Sequence, residues 1–203
     1  ARTHDAGAPS FGSGPEGWTG DGYLGPANEL LPLPLVASDT WGAFYGESRI
    51  RHTLALARAR GLWTGADVFD RVSDRLSGGD YDDGTTPARL HGDLWTGNVV
   101  WTGAGGVLID PAAHGGHRLT DLAMLLLFGG AREERVLAAY EEVTALPDGW
   151  RDVVGRWTHR VVIATFAVPG ILIALALRFW TLRADWANEL FADSHVLLIF
   201  AYV

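Results

Sequence analysis

The chain has no cysteine and no lysine, and a single methionine, Met124. Without cysteine there are no disulfides and no thiolate metal sites, and any redox compartment is compatible. Without lysine, all 16 basic residues are arginines; they stand against 24 acidic residues, for a formal net charge of -8. No arginine-rich run occurs, so the charge pattern argues against a nucleic-acid partner and against a polybasic membrane patch. The first residues, ARTHDAGAPSFG, contain neither an initiator Met nor the apolar core of a signal peptide, and they read like a chain entered midway. Internal repeats and low-complexity tracts are also lacking. The longest uncharged run, VVIATFAVPGILIALAL at 161–177, lies between Arg160 and Arg178 and is broken by Pro169-Gly170. It is shorter than the roughly 20 apolar residues that cross a bilayer. A proline there would break or kink a helix, so the run reads as a buried helical pair and not as a membrane segment.

What is present supports one large domain or two small ones, because 203 residues suffice to bury roughly 70% of the unfolded surface. Residues 1–40 are rich in Gly, Pro and Asn with scattered apolar side chains, which predicts an irregular segment. Helices are expected after it. Thr40 can cap one that carries Trp41, Phe44, Tyr45 and Leu54 and stops at Gly61. Thr64 can cap a second with Val68, Val72 and Leu76 on one face, ended by Gly78-Gly79. The stretch GGDYDDGTTP is a loop. Residues 98–101, the turn TGAGG and residues 107–109 then read as a β-hairpin. Thr120 can cap an apolar helix, DLAMLLLF, and a further helix over 132–144 carries Val136, Leu137 and Tyr140. The expected class is α+β, mainly helical, with a small hairpin that bears polar residues at its ends.

Those polar residues are the informative part. The stretch LHGDLWTGN at 90–98 places His91, Asp93 and Asn98 on a loop, and VLIDP at 107–111 ends the next apolar run in Asp110. Phosphoryl transfer from ATP asks for a carboxylate that receives the hydroxyl proton and for hard oxygen ligands that hold Mg²⁺ against the phosphates. Asp93 suits the first role, and Asn98 and Asp110 the second. The order His-x-Asp-x-x-x-x-Asn followed by Asp is that of the protein kinase catalytic loop, with Gly92 where protein kinases carry Arg. Taken singly, each of these side chains reads as an ordinary turn residue; the four in order make the chemical reading. His91 adds nothing to proton transfer that Asp93 does not supply, and reads as a packing and hydrogen-bonding residue of the loop. Asp121 reads from its position alone as a first-turn acid. His114 and His117 fall in the loop after Asp110, where solvated histidines are expected and substrate contact is possible. Zinc is disfavoured, since His91, His114 and His117 follow no metal spacing.

HGDLWTGN, followed by LIDPAAHGGHRLTDLAMLLLFGG, resembles the fructosamine kinase (ketosamine-3-kinase) family, within the aminoglycoside-phosphotransferase and choline-kinase-like group. Trp95 is the discriminating residue, because aminoglycoside-type kinases usually show HGDLHPGN. The resemblance extends upstream through RTHDAGAPSFG and WGAFYGESRI, over about residues 2–150. It implies a protein-kinase-like fold with Asp93 as catalytic base, Asn98 and Asp110 as Mg²⁺ ligands, Asp121 bracing the catalytic loop, and Trp95, His114 and His117 as possible substrate contacts. It further implies ATP as co-substrate, a cytoplasmic enzyme, and ketosamines as substrates, phosphorylated on a sugar hydroxyl in deglycation or sugar-amine catabolism. The alternatives are an aminoglycoside or amino-alcohol kinase and a catalytically silent half-kinase that only binds.

Two departures from the family shape the expected organisation. The Gly-rich strands, the ATP-contacting Lys and its Glu partner precede the ARTHDAGAP-like segment in the family, and no lysine occurs here. Residues 1–203 are therefore expected to be the C-terminal lobe of the kinase, without the N-terminal nucleotide lobe. Within it, 1–40 is expected as the irregular stretch after the hinge and 151–203 as a divergent apolar helical tail. After GWRDVVGRW the sequence no longer aligns with the family, and no functional residue is assigned there.

Overall fold

The computed structural model describes residues 1–24, 30–61, 63–65, 67–128 and 132–157. The apolar run 161–177, and with it most of the expected helical tail, lies outside the described residues. Among those described, no helix is long and apolar enough to cross a membrane.

Residues 1–40 are more regular than their composition suggests. A short helix, α1 (Arg2–Asp5), opens the chain, and strands β1 (Gly22–Leu24) and β2 (Leu31–Leu33) pair antiparallel in the register Gly22↔Leu33. A single bridge joins Phe11 to Ser38, and Phe11 is buried in the core. Apolar residues spaced singly were enough to anchor the segment, which composition alone could not reveal.

Helix α2 (Trp41–Tyr45) begins where the sequence predicts, with the Thr40 side chain accepting from Ala43 N at 3.2 Å. Asp82 Oδ1 accepts from Gly42 N at 2.9 Å, so two of the otherwise orphaned first-turn amides are satisfied by side chains. The helix runs through a π-helical turn (Gly46–Arg51) into α3 (His52–Ala59), with Gly61 beyond its end at φ +67°. Helix α4 (Val68–Ser77) crosses this unit closely. A Cβ on Gly42 would overlap the Leu76 carbonyl oxygen, and one on Gly46 would press on Ser73 and Ser77. Ser73 Oγ donates to Gly46 O at 2.8 Å, where the π turn takes the local backbone out of the regular ladder. The expected cap at Thr64 is not used. Helix α4 starts later, after Asp67, and no side chain caps it.

The remaining elements carry the site. Strands β3 (Ala88–Leu90) and β6 (His114–Gly116) form a second antiparallel pair, with Leu90 opposite His114. Strands β4 (Val99–Thr102) and β5 (Gly105–Leu108) form the expected hairpin. Helix α5 (Arg118–Leu127) begins two residues before the predicted cap, because His117 Nδ1 accepts from Leu119 N at 3.1 Å. Thr120 sits inside the helix, with its buried hydroxyl unpartnered among the described residues. Helices α6 (Glu133–Val143) and α7 (Trp150–Trp157) follow. One core joins these pieces: Phe44, Leu54 and Leu76 from the first helices meet Leu119, Leu122, Leu137 and Val154 from the last. Each such side chain contributes about 1.5–3 kcal/mol by burial, which holds α5 rigidly behind the loop it supports.

If Thr40 caps α2, then Thr40→Ala should lower the unfolding free energy by about 1 kcal/mol in urea titration; an unchanged midpoint would show that the cap contributes nothing.

Candidate active site

Strand β3 delivers the chain to His91, and the β4–β5 hairpin then brings Asp110 back to the same place. Between them runs a short 3-10 turn, Thr96–Asn98. The hairpin register pairs Val99 with Leu108, and one further bond, Ile109 N to Asn98 O at 3.1 Å, sets Asn98 across from the residue that precedes Asp110. Thr96 N donates to Phe128 O at 3.2 Å and ties the turn to the end of α5.

Asn98 grips Asp93 twice. Its Nδ2 donates to the Asp93 carbonyl at 2.8 Å and to Asp93 Oδ2 at 2.9 Å. Two acceptors on one side fix the amide orientation and leave Asn98 Oδ1 on the side away from Asp93. Asp110 has φ +52°, the one positive value for a non-glycine residue among those described. Aspartate tolerates that region better than most residues, and such outliers concentrate at functional sites. Asp93 is half-buried: desolvation pushes its pKa up, the Asn98 bond partly counters this, and the nearby charges of Asp121 and Asp110 push it up further.

His91 is buried and neutral in its bonding pattern. Its Nδ1 accepts from Asp93 N at 3.3 Å, so the proton resides on Nε2, which donates to Ile109 O at 3.0 Å. The imidazole therefore spans the loop that holds Asp93 and the strand end that holds Asp110. Beneath it lies Asp121, 1% exposed in the first turn of α5. Asp121 accepts from His91 N at 2.7 Å, from Gly92 N at 2.9 Å and from His4 Nε2 at 3.0 Å. Burial opposes its ionisation, but His4 and the two peptide donors outweigh that, and its pKa lies below the ordinary carboxylate value. Gly92 makes this possible. It sits at φ +80°, and a Cβ there would overlap the Ala112 carbonyl oxygen, which excludes the Arg of protein kinases from this position.

Trp95 is 42% exposed beside the loop, with its ring lying over Gly97. The two later histidines are not the solvated loop residues that the sequence suggested. His114 is 7% exposed within β6, donates through Nδ1 to Ala112 O at 2.8 Å, and packs 5.5 Å from the Phe44 ring. His117 is 2% exposed, caps α5 and bonds Asp83 Oδ2 through Nε2 at 3.1 Å. The pairing of β6 with β3 explains the error, since HGG carries no strand signature. The geometry thus gathers His91, Asp93, Asn98, Asp110 and Asp121 into one cluster and commits His114 and His117 to packing and capping.

Two residues of this cluster escaped the sequence reading: His4, bonded to Asp121, and Tyr140 of α6, 2.8 Å from His4 Nδ1. They lie 136 positions apart, and no local pattern links them. Both line a cleft of about 920 Å³ together with His91, Trp101, Leu122 and Leu125. Among the described residues Asp93, Asn98 and Asp110 are not part of its wall. The donor set nonetheless suits Mg²⁺, which takes one or two carboxylates, neutral oxygens and waters. Asn98, through Oδ1, and Asp110, through its carboxylate, are the residues able to hold it.

An α+β lobe whose hairpin presents His-x-Asp-x-x-x-x-Asn and a following Asp has the catalytic-loop organisation of kinase-like phosphotransferases. The chain belongs to the fructosamine kinase family: residues 1–156 match the model of that family. It is 34% identical over 155 residues to a probable ketoamine kinase of Enterococcus faecium, covering 75% of this chain and 52% of that protein. It is 39% identical over 133 residues to a probable ketoamine kinase of Synechocystis, covering 64% of this chain and 41% of the relative. A solved Thermobifida fusca protein, provisionally named a fructosamine-3-kinase, superposes with a TM-score of 0.66 at 45% identity, over 81% of this chain and 56% of that one. The chain spans about half the length of the curated relatives it matches.

Burial, and then the Arg49 charge, lower the His114 pKa from 6.5 to about 4. The unfolded chain then binds the proton first, so stability is full above pH 6.5 and falls as pH drops towards 4, by on the order of 3 kcal/mol. His114→Asn, whose amide can still reach Ala112 O, should flatten the urea midpoint between those limits. An identical pH profile in the variant would exclude His114 as the source.

Proposed function

We propose that this chain is the catalytic, substrate-side lobe of an ATP-dependent kinase that phosphorylates a sugar hydroxyl of ketosamines, the sugar adducts of amines. The observation that carries this reading is the pair of hydrogen bonds from Asn98 Nδ2 to the Asp93 carbonyl and to Asp93 Oδ2, which fixes a half-buried carboxylate against the amide of Asn98. In the reaction the substrate hydroxyl oxygen bonds to the γ-phosphorus, the bond from phosphorus to the bridging oxygen breaks, and ADP leaves. Asp93 Oδ1 or Oδ2 takes the hydroxyl proton; its pKa, raised by burial, brings it nearer the working pH than an exposed aspartate. Asn98 keeps Asp93 in place through the transfer, and His91 fixes the distance between the Asp93 loop and Asp110. Asn98 and Asp110 would hold Mg²⁺, which would supply neutralising charge to the phosphates when bound.

Trp95 offers an exposed, Gly97-backed ring face on which a sugar can stack, and so stands as the substrate contact of this reading. Contacts to adenine and to the α- and β-phosphates are assigned to a nucleotide lobe outside these 203 residues, since phosphoryl transfer depends on positioning. The biological role is deglycation or sugar-amine catabolism in the cytoplasm. The family match and the ketoamine kinase names of the relatives support this substrate class over aminoglycosides.

The test is ADP release from Mg-ATP by the full-length protein, with a fructosyl-amine and, separately, an aminoglycoside. Turnover of the fructosyl-amine is the expected result; turnover of the aminoglycoside alone would replace the substrate class, and turnover of neither would leave a binding module. Asp110→Ala should raise the Mg²⁺ concentration needed for half-maximal rate by at least about tenfold, and an unshifted titration would remove Asp110 as a ligand.

A further inference from the structure

The donors around Asp121 extend into a chain with one direction. Tyr140 is buried, and its hydroxyl has two hydrogen-bonding neighbours among the described residues: His4 Nδ1 at 2.8 Å and Arg118 Nη1 at 3.4 Å. A guanidinium only donates. The Tyr140 hydroxyl, accepting from Arg118, is placed to donate to His4 Nδ1, an arrangement that fits a His4 ring with its proton on Nε2. That proton points at Asp121 Oδ2, 3.0 Å away. Arg118 is in turn held by Asp5 Oδ1 at 3.0 Å, and Asp5 Oδ2 accepts from Thr144 Oγ1 at the end of α6. Donation thus runs from Arg118 to Tyr140, to His4, to Asp121, whose two oxygens also receive the amides of His91 and Gly92.

We propose that His4 and Tyr140 are positioning residues for the catalytic loop: Tyr140 sets the His4 tautomer, and His4 holds the Asp121 carboxylate in the one pose that receives both loop amides. The assignment of the loop as catalytic rests on the proposed kinase function, whereas the hydrogen-bond chain stands on its own geometry. The reason for having a chain, and not a lone carboxylate, is orientation. Two peptide donors leave a buried carboxylate free to rock, and a third donor from a different element closes that freedom. Helix α6 and helix α1 thereby act on the Asp93 loop through Asp121.

Two readouts test this, one of them independent of catalysis. By histidine-side-chain NMR, His4 should show the neutral Nε2–H form; an Nδ1–H form or an imidazolium would overturn the proposal. In Tyr140→Phe, hydrogen exchange of the His91 and Gly92 amides should accelerate by about tenfold or more while Leu122 and Ala123 in α5 stay within about twofold. Equal acceleration everywhere would mean a merely structural role and would also overturn it. In the full-length enzyme Tyr140→Phe and His4→Ala should lower kcat by about fivefold or more with KM for ATP nearly unchanged, and His4→Gln, which offers an acceptor and a donor at similar spacing, should recover most of it. No recovery with Gln, or unchanged kcat in Tyr140→Phe, contradicts the proposal. If the wild type turns over no ketosamine, the kinase function falls, and the exchange comparison alone decides the chain of donors.

Discussion

The site depends on one buried carboxylate. Asp121 is almost wholly removed from water, and an unpaired charge there would cost several kcal/mol. It is tolerated because three donors converge on it: the consecutive amides of His91 and Gly92, and His4. Consecutive peptide groups face the same way only if the backbone turns sharply, and Gly92 at φ +80° provides that turn. The requirement for a glycine at 92 and the burial of the His91 backbone follow from seating this anion under the loop. The core behind α5 holds Asp121 still, so rigidity passes from packed leucines to a carboxylate, to two amides, and from there to Asp93.

The second constraint is the crowding of negative charge. Asp93 lies close enough to Asp121 and Asp110 to feel both charges. Asp121 is compensated by its own partners, and its pKa is lowered; Asp93 is pushed up chiefly by desolvation, to which the Asp121 and Asp110 charges add. In the proposed reaction this imbalance is what a divalent cation and a hydroxyl proton relieve. Asp110 also departs from ordinary backbone, with a positive φ directly after Ile109, whose backbone hydrogen-bonds to Asn98 and His91.

Much of this was legible in the sequence because it is local. Thr40, the helix beyond it and the hairpin with its Gly-rich turn announce themselves within a few residues. The spacing of His91, Asp93, Asn98 and Asp110 likewise reflects one loop and one hairpin, and the structure places them together. What was hidden is non-local. The β3–β6 pairing joins ARL to HGG, strands of three residues with no alternation to read, and so His114 was mistaken for a solvated residue. The misplaced caps, Thr64 and Thr120, show that a good capping residue competes with what the next turn can offer: His117 served α5 in place of Thr120. His4 and Tyr140 meet across almost the whole described chain, and no spacing rule reaches that far.

The proposed chemistry rests on Asp93. The most direct measurement is single-turnover transfer of labelled γ-phosphoryl from ATP to a fructosyl-amine by the full-length protein, comparing wild type with Asp93→Asn, alongside ATP affinity for both. The expected result is a phosphorylated sugar with the wild type, loss of transfer by about a thousandfold or more in the variant, and nearly equal ATP binding. Transfer at the wild-type rate by Asp93→Asn would contradict it, because the carboxylate around which the loop, the hairpin and Asn98 are arranged would then take no part in the chemistry.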